Sequence, residues 1–211
     1  MNPHAANVSE AKIGVGIQEK RMPIVLYLGS DIKDYEEKSN SIIKQGVDEG
    51  RFRCTQCLES MTVHSHYERG IKETGERITI TIVWCERCGE YHALLPDFLL
   101  PHKHYSGNEV EYVIIEGATE PVKLIDTAAS ESTVRRWLKQ LGERIVQAVG
   151  ILKILFGQNG HAASEVIIDP GSPYSELEQV LEMAPYGIRC SGNKLGMANI
   201  WLGTNGVPAF I

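Results

Sequence analysis

The chain has no long apolar run. Nothing in it approaches the roughly 20 consecutive apolar residues of a membrane span, so no membrane partner is expected. It has no phosphate loop, and Gly29-Ser30-Asp31 at the end of the short apolar strand expected at Pro23–Gly29 lacks the glycine spacing of a dinucleotide turn. It has no basic surplus: 21 Lys and Arg against 27 Asp and Glu leave a net charge of −6, which does not suit a generic polyanion binder. The opening residues, MNPHAANVSEAKIGVGIQEKRM, are mixed and partly polar, unlike a secretory signal. The expected location is therefore the cytoplasm, whose reducing conditions disfavour disulfides. Cysteine is scarce, with five in 211 residues, so its placement is informative.

Four of the five cysteines form two pairs, Cys54-Thr55-Gln56-Cys57 and Cys85-Glu86-Arg87-Cys88. Two intervening residues let both sulfurs of a pair reach one ion, and the second pair completes a tetrahedron. The 27 residues from 58 to 84 exceed the roughly 15–20 of common two-pair sites. A β-hairpin between the knuckles absorbs the excess, as in a zinc ribbon. Met61–Tyr67 and Arg77–Trp84 are β-rich, and Ile78, Ile80 and Ile82 alternate with Thr79, Thr81 and Val83. The polar stretch Glu68–Glu76, with two glycines, connects them. The expected cofactor is structural Zn2+ on Cys54, Cys57, Cys85 and Cys88, because four thiolates leave no position open for substrate water. Four thiolates also suit iron, which spacing does not distinguish from zinc. The fifth cysteine, Cys190, reads as an incidental thiol. The pairs His64/His66 and His102/His104, with His92, read as solvated or packing histidines in preference to a second metal site.

The remaining segments are read from capping and periodicity. Asp34–Gly46 predicts a helix ending at the glycine. After the second knuckle, Leu94, Leu95, Phe98, Leu99 and Leu100 are too apolar for a free loop and are expected to dock the ribbon onto the helical part of the chain. Asp97 among them suits a turn cap as well as chemistry. Ser106 and Glu109 form a capping box that starts a helix of about ten residues. Pro121 opens a second short helix to Ala128, since proline is tolerated in a first turn. Beyond Ser130 or Ser132 as N-cap, Val134, Leu138, Leu141, Ile145, Ala148, Leu152 and Leu155 recur at helical spacing. Gly142 and Gly150 weaken the case for one unbroken helix. Val166–Ile168 suggests a short strand, and Pro173 starts a turn or helix through Leu177, Val180 and Leu181. The glycine-rich end from Tyr186 carries few charges and no chemistry that its residues declare.

The charge is unevenly spread. Residues 31–50 carry −3, residues 51–105 balance seven acids with seven bases, and residues 157–211 carry −3; residues 119–156 hold the only basic excess of any size, +2. There, a short helix, a turn and a helix opening Ser132-Thr133-Val134-Arg135-Arg136-Trp137 fit helix-turn-helix logic. Val134 and Trp137 face a core, while Ser132, Thr133, Arg135, Arg136 and Lys139 are the candidate contacts to double-stranded DNA, arginine reading guanine edges or holding phosphates. The competing reading is a solvated basic helix face.

These residues, from the two knuckles through CGEYHALLPDFLLP to Tyr105-Ser106 and Ser132–Trp137, resemble a bacterial family of zinc-ribbon proteins associated with transposons. The ribbon is similar to the N-terminal zinc domains of some insertion-sequence transposases. The resemblance spans residues 51–141 and implies a DNA-binding or accessory protein of a mobile element. A transposase catalytic core is not expected: it needs three carboxylates on a domain of roughly 100–200 residues, and Asp126, Asp169 and Glu178 have no supporting spacing.

The sequence thus predicts an α+β protein with four parts: a strand–helix element (1–50), a zinc ribbon (51–105), a helix-turn-helix-like helical domain (106–156) and an irregular C-terminal tail (157–211). The expected function is non-enzymatic, zinc-stabilised DNA binding in transposition. The alternative is an adaptor that docks on a transposase or another partner through the ribbon and apolar tail. Self-association is a further expected contact.

Overall fold

The structure, a computed structural model, describes residues 22–158, 171–185 and 187–209. The N-terminal stretch and the strand expected at Val166–Ile168 lie outside the described residues. The architecture is mixed α+β, with a four-stranded sheet and five α-helices among the described residues.

The expected hairpin forms as β2 (Thr62–Gly70) and β3 (Arg77–Trp84), antiparallel. β2 runs three residues further than its β-rich core, so only residues 71–76 make the connection. A bulge between Val63 and Ser65 leaves His64 without an opposing residue. His64 therefore does not share the regular alternation with His66.

Two further strands widen the ribbon. β4 (Tyr91–Pro96) pairs antiparallel with β3, and five of its six residues are buried. The apolar run after the second knuckle is thus a central strand. β1 (Ile24–Leu26) pairs parallel with β4, so the sheet order is β1-β4-β3-β2. Residues 24–26, read from the sequence as part of a separate strand–helix element, complete the ribbon's sheet.

α1 (Ile32–Asp48) starts where the Asp31 carboxylate accepts the Asp34 N–H at 2.9 Å. The Tyr35 hydroxyl donates to the Thr79 carbonyl at 2.6 Å and so ties α1 to β3. Burial pushes that phenol's pKa up to about 12.

The helical half starts as expected. Ser106 caps α2 (Gly107–Glu116) by accepting the Glu109 N–H at 3.1 Å. The helix expected from Pro121 to Ala128 is reduced to a single 3-10 turn, Val122–Leu124. Residues 117–130 therefore connect α2 to α3 (Glu131–Gln158), a longer link than the 3–4 residues of a tight helix-turn-helix. α3 is one helix of 28 residues. It passes through Gly142 and Gly150, where an added Cβ would meet nothing within 4 Å. Its buried face, Val134, Trp137, Leu141, Ile145, Ala148, Val149, Leu152 and Phe156, supplies the stability that the glycines withhold.

Among the described residues, the segment expected as an irregular tail is largely helical, including the helix anticipated from Pro173. It contains α4 (Pro173–Glu182) and α5 (Lys194–Thr204). α5 lies between two hydrophobic cores: Leu195, Ala198, Trp201 and Leu202 join the helical one, and Ile200 joins the one beneath the sheet. No helix among the described residues is long and apolar enough to cross a membrane.

Candidate functional site

The two knuckles share one backbone design. In the first, the Leu58 N–H donates to the Cys54 carbonyl and the Cys54 N–H to the Glu59 carbonyl, both at 2.9 Å. In the second, Gly89 donates to Cys85 and Cys85 to Glu90, again at 2.9 Å. The residue after each second cysteine takes a left-handed conformation, φ 61° at Leu58 and 69° at Gly89. Glycine suits that position; leucine tolerates it at a cost of order 1–2 kcal/mol. These turns aim both sulfurs of a knuckle the same way, and β2 and β3 bring the knuckles together.

Four sulfurs result, all within 4.8 Å of one another. Cys54–Cys88 and Cys57–Cys85 are 3.4 Å apart, and Cys57–Cys88 3.8 Å. A tetrahedral ion with bonds of about 2.3 Å needs sulfur–sulfur edges of about 3.8 Å, so the cluster fits a metal. All four are free thiols, and among the described residues this is the one group of ligand-type side chains placed to hold an ion. His64, His66, His92, His102 and His104 supply no second cluster. Cys190 also stands apart and packs at the margin of the sheet's core.

The surroundings favour charge on Cys85 and oppose it on Cys57 and Cys88. Burial raises the Cys85 pKa, but N–H groups of Cys88 and Arg87 and the neighbouring thiols outweigh it and bring Cys85 down to about 7. Burial pushes Cys88 up to about 12. Four thiols this close cannot all ionise until a cation offsets their mutual repulsion. His92 lies against the cluster, with Nε2 3.5 Å from Cys54 Sγ and Nδ1 3.0 Å from the Met22 carbonyl oxygen. Burial lowers the imidazole's pKa. Arg87 and Glu59 pair at 2.7 Å across the knuckle tips; both are well exposed, so solvent screens the pair and it adds little.

The second functional candidate is the first half of α3. Ser132, Arg135, Arg136 and Lys139 are exposed, Thr133 is half-buried, and Val134 and Trp137 are buried as the spacing predicts. Arg135 has Glu131 at 3.7 Å, an exposed pair that competes weakly for its charge.

Arg136 has company that a linear reading misses. Lys103 is half-buried, and its pKa is lowered by burial and by the nearby charges of Arg144 and Arg136. His102 is lowered by burial and by Arg69, Lys103 and Arg144. Bases from the charge-neutral ribbon segment therefore gather beside those of α3. The His-Lys-His run at 102–104 is visible in the sequence, but the helix it meets is not.

A third feature is Asp97, which is fully buried. Its Oδ2 accepts the Ser191 N–H at 2.6 Å and the Ser191 hydroxyl at 2.9 Å. Asn193 Nδ2 donates to the Asp97 carbonyl at 3.1 Å. Burial raises the pKa of this carboxyl. Asp97 thus anchors the segment that leads into α5.

Among known protein families, a model described as a domain of unknown function, DUF6431, matches residues 54–137. The match runs from the first metal-type cysteine to Trp137 and so includes both knuckles, Asp97 and the Arg135-Arg136 pair. No curated protein and no solved structure matches the chain significantly.

Proposed function

We propose that this chain is a DNA-binding protein stabilised by structural zinc, serving transposition as an accessory or regulatory factor. Zinc is the ion the four thiolates suit in a closed, non-catalytic site, and its role is to fix the knuckles and thereby the sheet. The observation that carries the DNA reading is the exposed row Ser132, Arg135, Arg136 and Lys139 on α3, backed by Lys103 and Arg144. Such a row takes phosphates and base edges, while the overall charge of −6 keeps the rest of the surface from binding nucleic acid at random. With 14 residues between α2 and α3, α3 acts as a presenting helix without the tight turn of the standard motif. The link to a mobile element rests on the resemblance of the ribbon and the LLPDFLLP run.

A duplex-DNA mobility shift over a salt series tests this. Binding is expected to weaken steeply as salt rises, because each neutralised phosphate releases counterions. Arg135→Ala with Arg136→Ala should weaken binding by about tenfold or more while leaving the melting temperature unchanged, since both side chains are exposed. A double variant that shifts DNA like the parent sinks the assignment.

The adaptor reading, with a transposase as partner, is favoured by one feature. An apolar groove of about 680 Å³ beside the first knuckle is lined by Ile24, Leu26, Phe52, Leu58 and Ile200. It predicts capture of protein with little salt dependence and no duplex shift.

A further inference from the structure

A group of bases that α3 does not itself supply lines a cavity of about 660 Å³ on the sheet. Its floor comes from alternate residues of β2 and β4, Tyr67 and Arg69 with Ala93 and Leu95, which share a face by the two-residue period. Its wall is the loop His102-Lys103-His104. Arg69 is 8% exposed and braces that loop, its Nη2 donating to the Leu100 carbonyl at 2.6 Å and to the Lys103 carbonyl. His102 takes a left-handed backbone, φ 58°, which turns the loop over the cavity. Arg77 at the far rim is paired with Glu68 at 2.8 Å, and Glu68 is the one acid lining the cavity.

Charge is therefore unbalanced at one end. Arg69, Lys103 and two imidazoles meet the rim, with Arg136 and Arg144 of α3 close enough to press on Lys103. No carboxylate forms an ion pair with Lys103 among the described residues. A half-buried ammonium ringed by cations is held at a cost that an incoming anion removes. The cavity has the size of a small-ligand site, and Tyr67 offers a flat aromatic surface beside the cations.

We propose that this cavity binds a phosphate group, from a nucleotide or a nucleic-acid strand, with Lys103, His102 and His104 donating to its oxygens and Arg69 fixing the loop that presents them. The site lies on the sheet and does not depend on duplex binding by α3.

Isothermal titration calorimetry on the full chain at constant ionic strength tests it. The probes are inorganic pyrophosphate, adenosine monophosphate and adenosine. Pyrophosphate is expected to bind, and adenosine, lacking phosphate, is expected not to. Lys103→Met, which keeps the stem and removes the charge, should weaken pyrophosphate binding by about tenfold, the value of one charge-assisted contact. His102→Gly keeps the backbone conformation, removes the imidazole and should weaken it severalfold.

A short duplex added to the same samples separates the sources. Displacement of pyrophosphate by duplex assigns the phosphate to a strand. Binding of adenosine monophosphate undisturbed by duplex assigns it to a free nucleotide. Pyrophosphate binding retained in an Arg135→Ala, Lys139→Ala variant, which leaves Arg136 beside Lys103, supports this site even if duplex binding by α3 fails. No pyrophosphate binding by the parent chain, or equal binding by Lys103→Met at unchanged melting temperature, overturns the proposal.

Discussion

Replacing Cys85 with serine is expected to cost the chain its metal and the folded ribbon. Cys85 is fully buried, and its backbone N–H and carbonyl both close the second knuckle. Structural zinc on four such ligands stabilises small domains by about 10–16 kcal/mol, comparable to the whole stability of a typical domain, about 5–15 kcal/mol. A serine hydroxyl stays protonated near neutral pH and makes a poor zinc ligand, so three thiolates would have to hold the ion alone. The knuckle tips would then lose the tie that holds β2 and β3 at the Cys end. Elemental analysis should give one zinc per chain for the parent and far less for Cys85→Ser, with proteolysis newly able to cut between residues 51 and 62. A chelator should produce the same pattern in the parent. Cys190→Ser is the control and should keep both metal and fold, because Cys190 lies outside the cluster. A Cys85→Ser protein with full zinc and unchanged melting would remove the metal from the explanation of the fold.

The second large effect is expected far from the metal. Gly196 lies on α5 against the turn after β4. A Cβ added there would sit 2.1 Å from the Asp97 backbone oxygen and 2.9 Å from its carbonyl carbon. Those atoms are main chain and cannot rotate away. The same side group would also press on Asn193 Oδ1 at 2.7 Å, the oxygen that caps α5 by accepting the Gly196 N–H at 2.6 Å. Relief therefore requires α5 to withdraw from the ribbon and to break the hydrogen bonds of Asp97 with Ser191 and Asn193. Gly196→Ala should cost about 3 kcal/mol or more, a drop in melting temperature of roughly 6–12 °C for a domain of this size. Gly203→Ala provides the contrast. It is on the same helix with nothing within 4 Å of an added Cβ, so it should be neutral or stabilising by up to about 1 kcal/mol. Equal melting of the two variants would mean that α5 does not meet the Asp97 turn as described.

The two predictions concern one architecture. A metal on the four sulfurs would fix the Cys ends of β2 and β3, and β4 leads from the second knuckle to Asp97. Asp97 in turn holds the segment that delivers α5 into both cores. The ribbon and the helices are thus joined twice, through the chain itself between β4 and α2 and through contacts separated by 94 residues or more in sequence.

The sequence by itself determined whatever depends on neighbours along the chain. The spacing of the four cysteines, the alternation in β3, the Ser106 cap and the apolar face of α3 are local patterns, because a knuckle, a strand and a helical turn each close within a few residues. The tertiary structure decided the rest. The apolar run 23–29 reads as a strand from its residues alone, but its trimming to three residues and its parallel pairing with β4 come from the packing. The run from Pro121 holds to a single 3-10 turn, since helix propensity alone does not sustain a short helix. α5 is not legible as a helix in the sequence because seven of its eleven residues are buried, around its whole circumference, which erases the polar–apolar period that marks a surface helix. The basic cavity is hidden for a similar reason. Arg69, Lys103, Arg136 and Arg144 are scattered through segments whose local charges nearly cancel, and only packing of the loop at 102–104 near α3 brings their charges to bear on one another.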